Sequence, residues 1–213
     1  IHTSYSAHLV SDKESKEQIS PLVDTQVKVI TDHKIQLIEK LKNIKFFNAN
    51  FEQKVVDDQG NVLQEGGGTL AVSKPNLVYW NTKTPDESLI VSDGTTLWFY
   101  NPFIEQVTAY KLANAIANTP ILLLTSDADE LWAHYSVSRI DQATYLIHAD
   151  DVNSQIKTLE LKFTQNKLSG FTFLDATGQL SVISLKNADF TTSPALDLFQ
   201  FDLPEGSYLD DQR

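Results

Sequence analysis

The chain of 213 residues contains neither cysteine nor methionine. Without cysteine it forms no disulfide, carries no thiolate nucleophile and offers no cysteine ligand to a metal. Methionine is missing even from position 1, so we expect a chain that begins after processing or trimming, with any signal peptide removed. Long apolar runs are also missing, because a cluster such as Ile121 to Leu124 is far shorter than the ~18 residues that indicate a membrane-spanning helix.

Positive charge is scarce. The chain has 17 Lys and Arg residues against 28 Asp and Glu residues, which gives a formal net charge of −11 at pH 7. Nucleic acid binding needs a basic surface, and so does stable attachment to an anionic membrane. We therefore predict no nucleic acid partner and no stable membrane insertion, and ordinary solubility is sufficient to explain the acidic balance.

Sequence signatures of catalysis and metal binding are missing as well. The glycine triplet Gly66–Gly68 is followed by Thr and Leu, so it is not a phosphate-binding loop. The five histidines lack metal-ligand spacing, and His134 and His148 are interpreted as structural or solvent-facing. The acidic stretch from Asp127 to Glu130 lacks the glycine and the closing glutamate of a calcium loop. We predict a protein that is not an enzyme and has no cofactor or metal, although a triad dispersed along the chain stays open.

The N-terminal fifth of the chain predicts a tail followed by a helix. Residues 1–19 are polar and aperiodic, which indicates a weakly ordered tail. Ser20 and Pro21 resemble a helix N-cap and first turn, and apolar residues then recur every three or four positions up to Ile44. This amphipathic helix is either continuous or restarted at Thr31 and Asp32.

From Phe47 onward the apolar period falls from about 3.6 to 2, which predicts strands. Turn signals with Gly, Asn, Asp or Pro separate them. The predicted strands are 47–55, 62–73, 77–81, 88–91, 96–100, 132–140, 144–149, 156–163, 168–174, 180–190 and 199–203. About eleven short strands at hairpin spacing imply one antiparallel sheet that curls strongly or closes. Residues 101–129 interrupt the series with a short helix opened by Thr119 and Pro120, and such long insertions are usually functional.

Several of these segments together resemble the LolA family of periplasmic outer-membrane lipoprotein carriers. The similarity runs from about Leu37 to Arg213 and is clearest in the run PDESLIVSDGTTLWFYNPFIEQ at residues 85–106. Further matching segments are 47–55, 64–70, 74–80, 118–120 and 201–213. The resemblance implies a mainly β protein with some α-helix, an unclosed antiparallel β-barrel of about 11 strands with a helical lid over an apolar cavity. It also implies a single carrier domain over residues 20–213.

The same resemblance implies a function without catalysis. A member of the family accepts acylated lipoproteins that an inner-membrane ABC transporter (LolCDE-like) releases, shields their acyl chains in the periplasm and delivers them to an outer-membrane receptor (LolB-like). A monomer is expected. The alternative is a related fold that acts as a sensor or receptor for lipid or lipoprotein without transport. A lipid hydrolase is a third class, for which no nucleophile constellation is visible.

The resemblance also suggests where cargo would bind. Expected lid residues are Leu37, Leu41, Ile121, Leu122 and Leu124. Expected residues of the acyl-chain cavity are Phe47, Phe51, Leu70, Val72, Val78, Trp80, Ile90, Trp98 and Tyr100. Each of these is equally well explained as ordinary core, and a register error of one residue would exchange Trp98 and Tyr100 for Leu97 and Phe99.

One position departs from the family pattern. The family usually has Arg just before the Pro-Asn of the third strand, where it holds lid backbone carbonyls, and this chain has Lys74 there. Lysine keeps the charge but lacks the planar multi-donor group of arginine. We predict a lid latch at Lys74 that is weaker than an arginine latch, so that the empty form is more open. The alternative interpretation is a solvated turn residue.

Overall fold

The computed structural model describes residues 32–213, so the predicted tail and the predicted helical segment 20–31 lie outside the described residues. Helix α1 spans His33–Lys42. Its N-cap is Asp32, whose carboxylate accepts hydrogen bonds from the backbone N–H groups of Lys34 at 3.0 Å and Ile35 at 3.3 Å. A short polar side chain at this position satisfies amides that have no partner in the first turn. The helix thus begins where the sequence indicated a restart.

Twelve strands form one open sheet. They are β1 (Phe46–Val56), β2 (Val62–Ser73), β3 (Leu77–Thr84), β4 (Ser88–Asp93), β5 (Thr96–Asn101), β6 (Gln106–Lys111), β7 (Tyr135–Arg139), β8 (Thr144–Ala149), β9 (Ile156–Thr164), β10 (Lys167–Asp175), β11 (Leu180–Asp189) and β12 (Tyr208–Asp211). Their order is β12-β6-β5-β4-β3-β2-β1-β11-β10-β9-β8-β7. All neighbours are antiparallel except β12, which runs parallel to β6. The mainly β, unclosed architecture is confirmed.

Between β6 and β7 the chain forms short helices that cross the concave face. Helix α2 spans Leu112–Ala115 and continues into a 3-10 turn at Ile116–Asn118. Helix α3 spans Pro120–Thr125 and begins with proline at its first turn, where a missing N–H does no harm. A 3-10 helix follows at Asp129–His134. None of the helices within residues 32–213 is long and apolar enough to cross a membrane.

The structure differs from the predicted strands at three places. Strand β6 lies inside the segment that the sequence indicated as an interruption of the strands. It was missed because the alternation of Val107 and Ala109 with Thr108 and Tyr110 is too short to indicate a strand. The predicted strand 132–140 begins only at Tyr135, after the 3-10 helix. The predicted strand 199–203 is irregular, and the last strand is instead the acidic β12, which joins the sheet through backbone pairing with β6.

The glycine triplet in β2 lies very close to the backbone of neighbouring strands. A Cβ atom added at Gly66 would lie 1.9 Å from the Thr84 carbonyl oxygen, and one added at Gly68 would lie 1.9 Å from the Asn81 carbonyl oxygen. The pairing register of β2 with β3 also shifts between Gly67 and Gly68. Only glycine permits such close backbone approach, so the triplet lets the sheet curl into a trough.

The concave face of the trough carries the main core. Helices α1 and α3, together called the lid, contribute Leu37, Leu41 and Ile121 to Leu124 to this buried cluster. The sheet contributes residues from almost every strand, among them Phe47, Phe51, Leu70, Val72, Val78, Trp80, Tyr145, Leu161, Phe171 and Ile183. Within residues 32–213 the chain does not divide further.

The convex face of β5 and β6 is covered by the C-terminal segment. Phe201 stacks on Trp98 with ring centroids 5.1 Å apart and lies 6.4 Å from the ring of Tyr100. Val107 and Ala109, which pair with Tyr100 and Trp98 and therefore share their face, are fully buried. The sheet is thus apolar on both faces at this point.

Candidate functional site

A cavity of about 640 Å³ lies between the concave face of the sheet and the segment from α2 to the start of α3. This volume is within the range of roughly 300–1,000 Å³ that is typical of ligand pockets. Its walls are formed by Gln53, Trp80, Thr82, Ser88, Ile90, Leu97, Phe99, Tyr110, Asn114, Ala115, Asn118, Thr119, Pro120, Ile156 and Phe173. Aromatic and aliphatic side chains dominate the sheet side of this wall, and neutral polar residues interrupt it, so the cavity suits an apolar ligand.

Two of the sequence-predicted cavity residues, Trp80 and Ile90, line this space. Trp80 is held by edge-on contacts with Phe51 at 5.6 Å and Phe171 at 5.8 Å between ring centroids. A second group lies deeper in the buried cluster that the lid shares and does not reach the open space. This group is Phe47, Phe51, Leu70, Val72 and Val78.

Trp98 and Tyr100 were placed on the wrong face, and the cavity is lined by Leu97 and Phe99 instead. Strand pairing fixes this outcome. Trp80 pairs with Ile90, and Ile90 pairs with Phe99, so these three side chains share the concave face. The sequence offered no preference, because 97–100 is apolar or aromatic at every position.

Other cavity residues escaped the sequence reasoning. Ile156 comes from β9 and Phe173 from β10, and Asn114, Asn118 and Thr119 come from the segment that crosses the trough. The alternation of Phe171 and Phe173 in β10 is the one signal that pointed to an inward face there. The helical contributors carry no comparable signal, since their position depends on how the segment lies over the sheet.

All five expected lid residues are buried in the main core. Leu37, Ile121 and Leu122 are fully inaccessible, and Leu41 and Leu124 are nearly so. They pack in one cluster with the deep residues of the concave face. The lid therefore occupies space that only its displacement would open.

Lys74 contacts the lid directly. Its Nζ donates a hydrogen bond to the backbone carbonyl of Leu41 in the last turn of α1, and its N–H donates to the carbonyl of Lys45 at 2.8 Å. Burial lowers the pKa of Lys74 to about 8, and the charge of Asp127 opposes that shift. Lys74 is therefore not a solvated turn residue.

The same turn also contacts the second lid helix. The N–H of Asn76 donates to the carbonyl of Thr125, the last residue of α3, at 3.1 Å. Asn76 is supported from β4, because Ser92 Oγ donates to its carbonyl at 2.5 Å. We call residues 74–76 the clasp, since this turn bonds to both lid helices.

No histidine among residues 32–213 lines the apolar cavity. His134 and His148 are both exposed, His134 beside β7 and His148 on β8. Over residues 32–213, no group of three or more His, Asp or Glu side chains is placed to hold a metal ion. The arrangement described so far is an apolar cavity on the concave face, beside a buried lid that the clasp holds.

Residues 42–202 match the profile of the family described as outer membrane lipoprotein carrier protein LolA. The chain belongs to the LolA family. An outer-membrane lipoprotein carrier protein from Aeromonas salmonicida is 40% identical over 197 residues, which cover 91% of this chain and 96% of that protein. One from Sodalis glossinidius is 41% identical over 179 residues, covering 83% and 87%.

Solved structures share the fold of this LolA family member at low sequence identity. An uncharacterized conserved protein from Thermus thermophilus aligns with a TM-score of 0.50 at 11% identity, covering 84% of this chain and 99% of that one. At this identity the likeness describes the architecture alone.

Proposed function

We propose that the protein is a periplasmic carrier that shields the acyl chains of lipoproteins on their way to the outer membrane. The observation that carries this proposal is the apolar cavity of about 640 Å³ on the concave face, next to a buried lid that one turn of the sheet clasps. Membership of the LolA family supports it, since the relatives are named as outer-membrane lipoprotein carriers.

The physical need for such a host is large. Exposing acyl chains to water costs about 0.8 kcal/mol per methylene group, so a lipoprotein with several chains would expose tens of kcal/mol of apolar surface. A concave apolar wall with Trp80, Ile90 and Phe99 removes that surface from water. No bond has to form or break, and we assign the protein no catalytic step.

A carrier must also release its load. In the closed arrangement the lid side chains pack against the deep residues of the concave face. We infer that a full load displaces the lid and that the acyl chains then reach Phe47, Phe51 and Val78. Because binding then includes the work of opening, the apparent affinity falls with the fraction of open molecules, which favours onward transfer.

For partners, we propose an ABC transporter of the LolCDE type in the inner membrane and a LolB-like receptor at the outer membrane. The net charge of −11 suits a protein that attaches stably to neither anionic membrane. We expect it to work as a monomer, because the wall of the cavity is formed by a single chain.

The test is release of a radiolabelled lipoprotein from transporter-containing proteoliposomes with ATP, with and without this protein. A soluble one-to-one complex is the expected result. If a known carrier releases the lipoprotein and this protein does not, transport fails as the function. A hydrophobic-ligand screen would then examine the sensor alternative.

A further inference from the structure

A second cavity of about 450 Å³ lies on the other side of the 3-10 turn that ends at Asn118. We call it the polar groove. Its walls come from that turn, from the end of the 3-10 helix before β7, and from the loop between β8 and β9. The lining side chains with polar groups are Asn118, His134, Tyr135, Asp151, Asn153, Ser154 and Gln155, and the apolar ones are Ala117, Leu131 and Ala149.

The groove adjoins the apolar cavity. Asn118 lines both spaces. A small cleft of about 20 Å³ lies between them and shares Pro120 and Ile156 with the apolar cavity and Ala117 and Tyr135 with the groove. A ligand with an apolar part and a polar part would therefore cross the boundary at the 3-10 turn.

The groove offers hydrogen-bonding groups that are not already used. Within residues 32–213, the side chains of Asn118, Asn153 and Gln155 make no hydrogen bond, and all three residues are exposed. Each amide provides donors and an acceptor, the combination that a peptide backbone needs. The loop that carries two of them is held in place. Asp151 accepts the Asn153 N–H at 2.9 Å, and the Gln155 carbonyl accepts the Ala176 N–H at 2.8 Å.

We propose that the polar groove binds the first residues of the polypeptide that follow the acylated residue of the cargo, an inference that rests on the carrier function proposed above. Acyl chains in the apolar cavity would bring the head of the lipid to the boundary at Asn118. The peptide that leaves it is polar and cannot enter an apolar wall without losing its hydrogen bonds. The amide-lined groove is the adjoining space with the matching chemistry.

The test compares two synthetic ligands. One is a triacylated cysteine amide, and the other is the same group followed by four neutral residues. Dissociation constants are measured by displacement of an environment-sensitive hydrophobic dye. The variant is Asn153→Leu/Gln155→Leu, which removes the free amides at nearly constant volume. The control is Gln142→Leu, an exposed glutamine in the loop between β7 and β8.

We expect the double variant to bind the lipopeptide about five- to tenfold more weakly than the wild type, which corresponds to one or two ordinary hydrogen bonds. Its affinity for the cysteine amide should be unchanged, and the control should match the wild type with both ligands. Backbone amide NMR signals of residues 151–155 should shift with the lipopeptide and not with the cysteine amide.

Two results would overturn this subsite. In one, the double variant loses affinity for both ligands equally. In the other, it loses affinity for neither. If both ligands still displace the dye from the wild type, either result rejects the peptide subsite and keeps the proposed binding of acyl chains. If neither ligand displaces the dye from the wild type, acyl binding itself fails and the subsite fails with it.

Discussion

The side chain of Lys74 donates a hydrogen bond to the carbonyl of Leu41, a residue 33 positions earlier that lies in the last turn of α1. The same Leu41 carbonyl accepts the Ile44 N–H at 3.1 Å, and the negative end of the helix dipole attracts a cation at this turn. Two positions later in the clasp, Asn76 bonds to α3 through its backbone. The charged group thus holds one lid helix and the backbone holds the other.

The first prediction concerns this charged bond. In Lys74→Leu, α1 loses its contact with the clasp, and backbone amides of residues 36–42 should exchange about tenfold faster, equivalent to about 1.4 kcal/mol of local opening. Lys74→Arg should exchange no faster than the wild type, because a guanidinium presents more donors to the same carbonyls. Hydrogen exchange followed by mass spectrometry measures this difference.

The control for that experiment is Lys54→Leu, which removes an exposed lysine paired with Glu65 at 3.3 Å on β1 and β2. Such surface pairs contribute little, so exchange in α1 should not change. Equal exchange in α1 for wild type, Lys74→Leu and Lys74→Arg would contradict a latch at this position.

The second prediction is a pH dependence with a defined sign. Burial lowers the pKa of Lys74 from 10.5 to about 8, so between these values the folded protein binds fewer protons than the unfolded chain. The free energy of unfolding contributed by Lys74 must therefore rise with pH across this window. Burying the Lys74 charge reduces the free energy of unfolding. This reduction is fully present below pH ~8 and is lost by pH ~10.5.

Thermal unfolding of wild type and Lys74→Leu across this window isolates the effect, because other titrating groups are common to both proteins. The wild-type midpoint should rise relative to the variant midpoint as the pH increases. A difference that stays constant, or that moves in the opposite direction, would mean that Lys74 is not buried as a cation.

The third prediction tests the packing of the lid. Leu37 is 0% exposed and Ile35, on the same helix, is 55% exposed. Leu37→Ala should reduce the free energy of unfolding by about 2–5 kcal/mol, because it removes buried methyl groups and leaves a cavity. Ile35→Ala should change it by about 0.5 kcal/mol or less. Urea unfolding distinguishes the two, and similar values for both variants would contradict a packed α1.

The sequence predicts the strands well where one face is polar. In β1, Phe47, Ala49 and Phe51 alternate with Asn48, Asn50 and Glu52, and the structure buries the apolar set. Glycine within a strand was expected to mark a bulge or a bend, and the pairing register of β2 with β3 does shift between Gly67 and Gly68.

The sequence is ambiguous where both faces of a strand are buried. Trp98 is covered by Phe201 from a segment about a hundred residues later, and no local pattern records that contact. The missed strand β12 has a similar cause. Asp210 and Asp211 are poor strand formers, and backbone pairing with β6 decides their conformation.

The fourth prediction concerns the glycine triplet in β2. Gly68→Ala should destabilise the protein by at least about 2 kcal/mol, because the added methyl group meets a backbone oxygen that cannot move away without shifting β3. Gly60→Ala is the control. It adds a Cβ with nothing within 4 Å, at a φ of +82°, so it should cost only the ~1 kcal/mol of a left-handed residue. Chemical denaturation compares them, and equal losses would contradict a steric role for Gly68.

The fifth prediction separates the two faces of β5. Phe99 lines the cavity and is 36% exposed, so Phe99→Ala should weaken binding of a hydrophobic dye or lipopeptide about tenfold with little loss of stability. Trp98 stacks on Phe201, and its indole N–H donates to Asp93 at 3.1 Å. Trp98→Ala should therefore lower the free energy of unfolding by about 2 kcal/mol and leave the ligand affinity unchanged.

Dye titration measures the ligand affinity of both variants, and urea unfolding measures their free energy of unfolding. Loss of affinity in Trp98→Ala without such a loss in Phe99→Ala would mean that the acyl chains bind on the convex face, and the carrier site would have to be moved there.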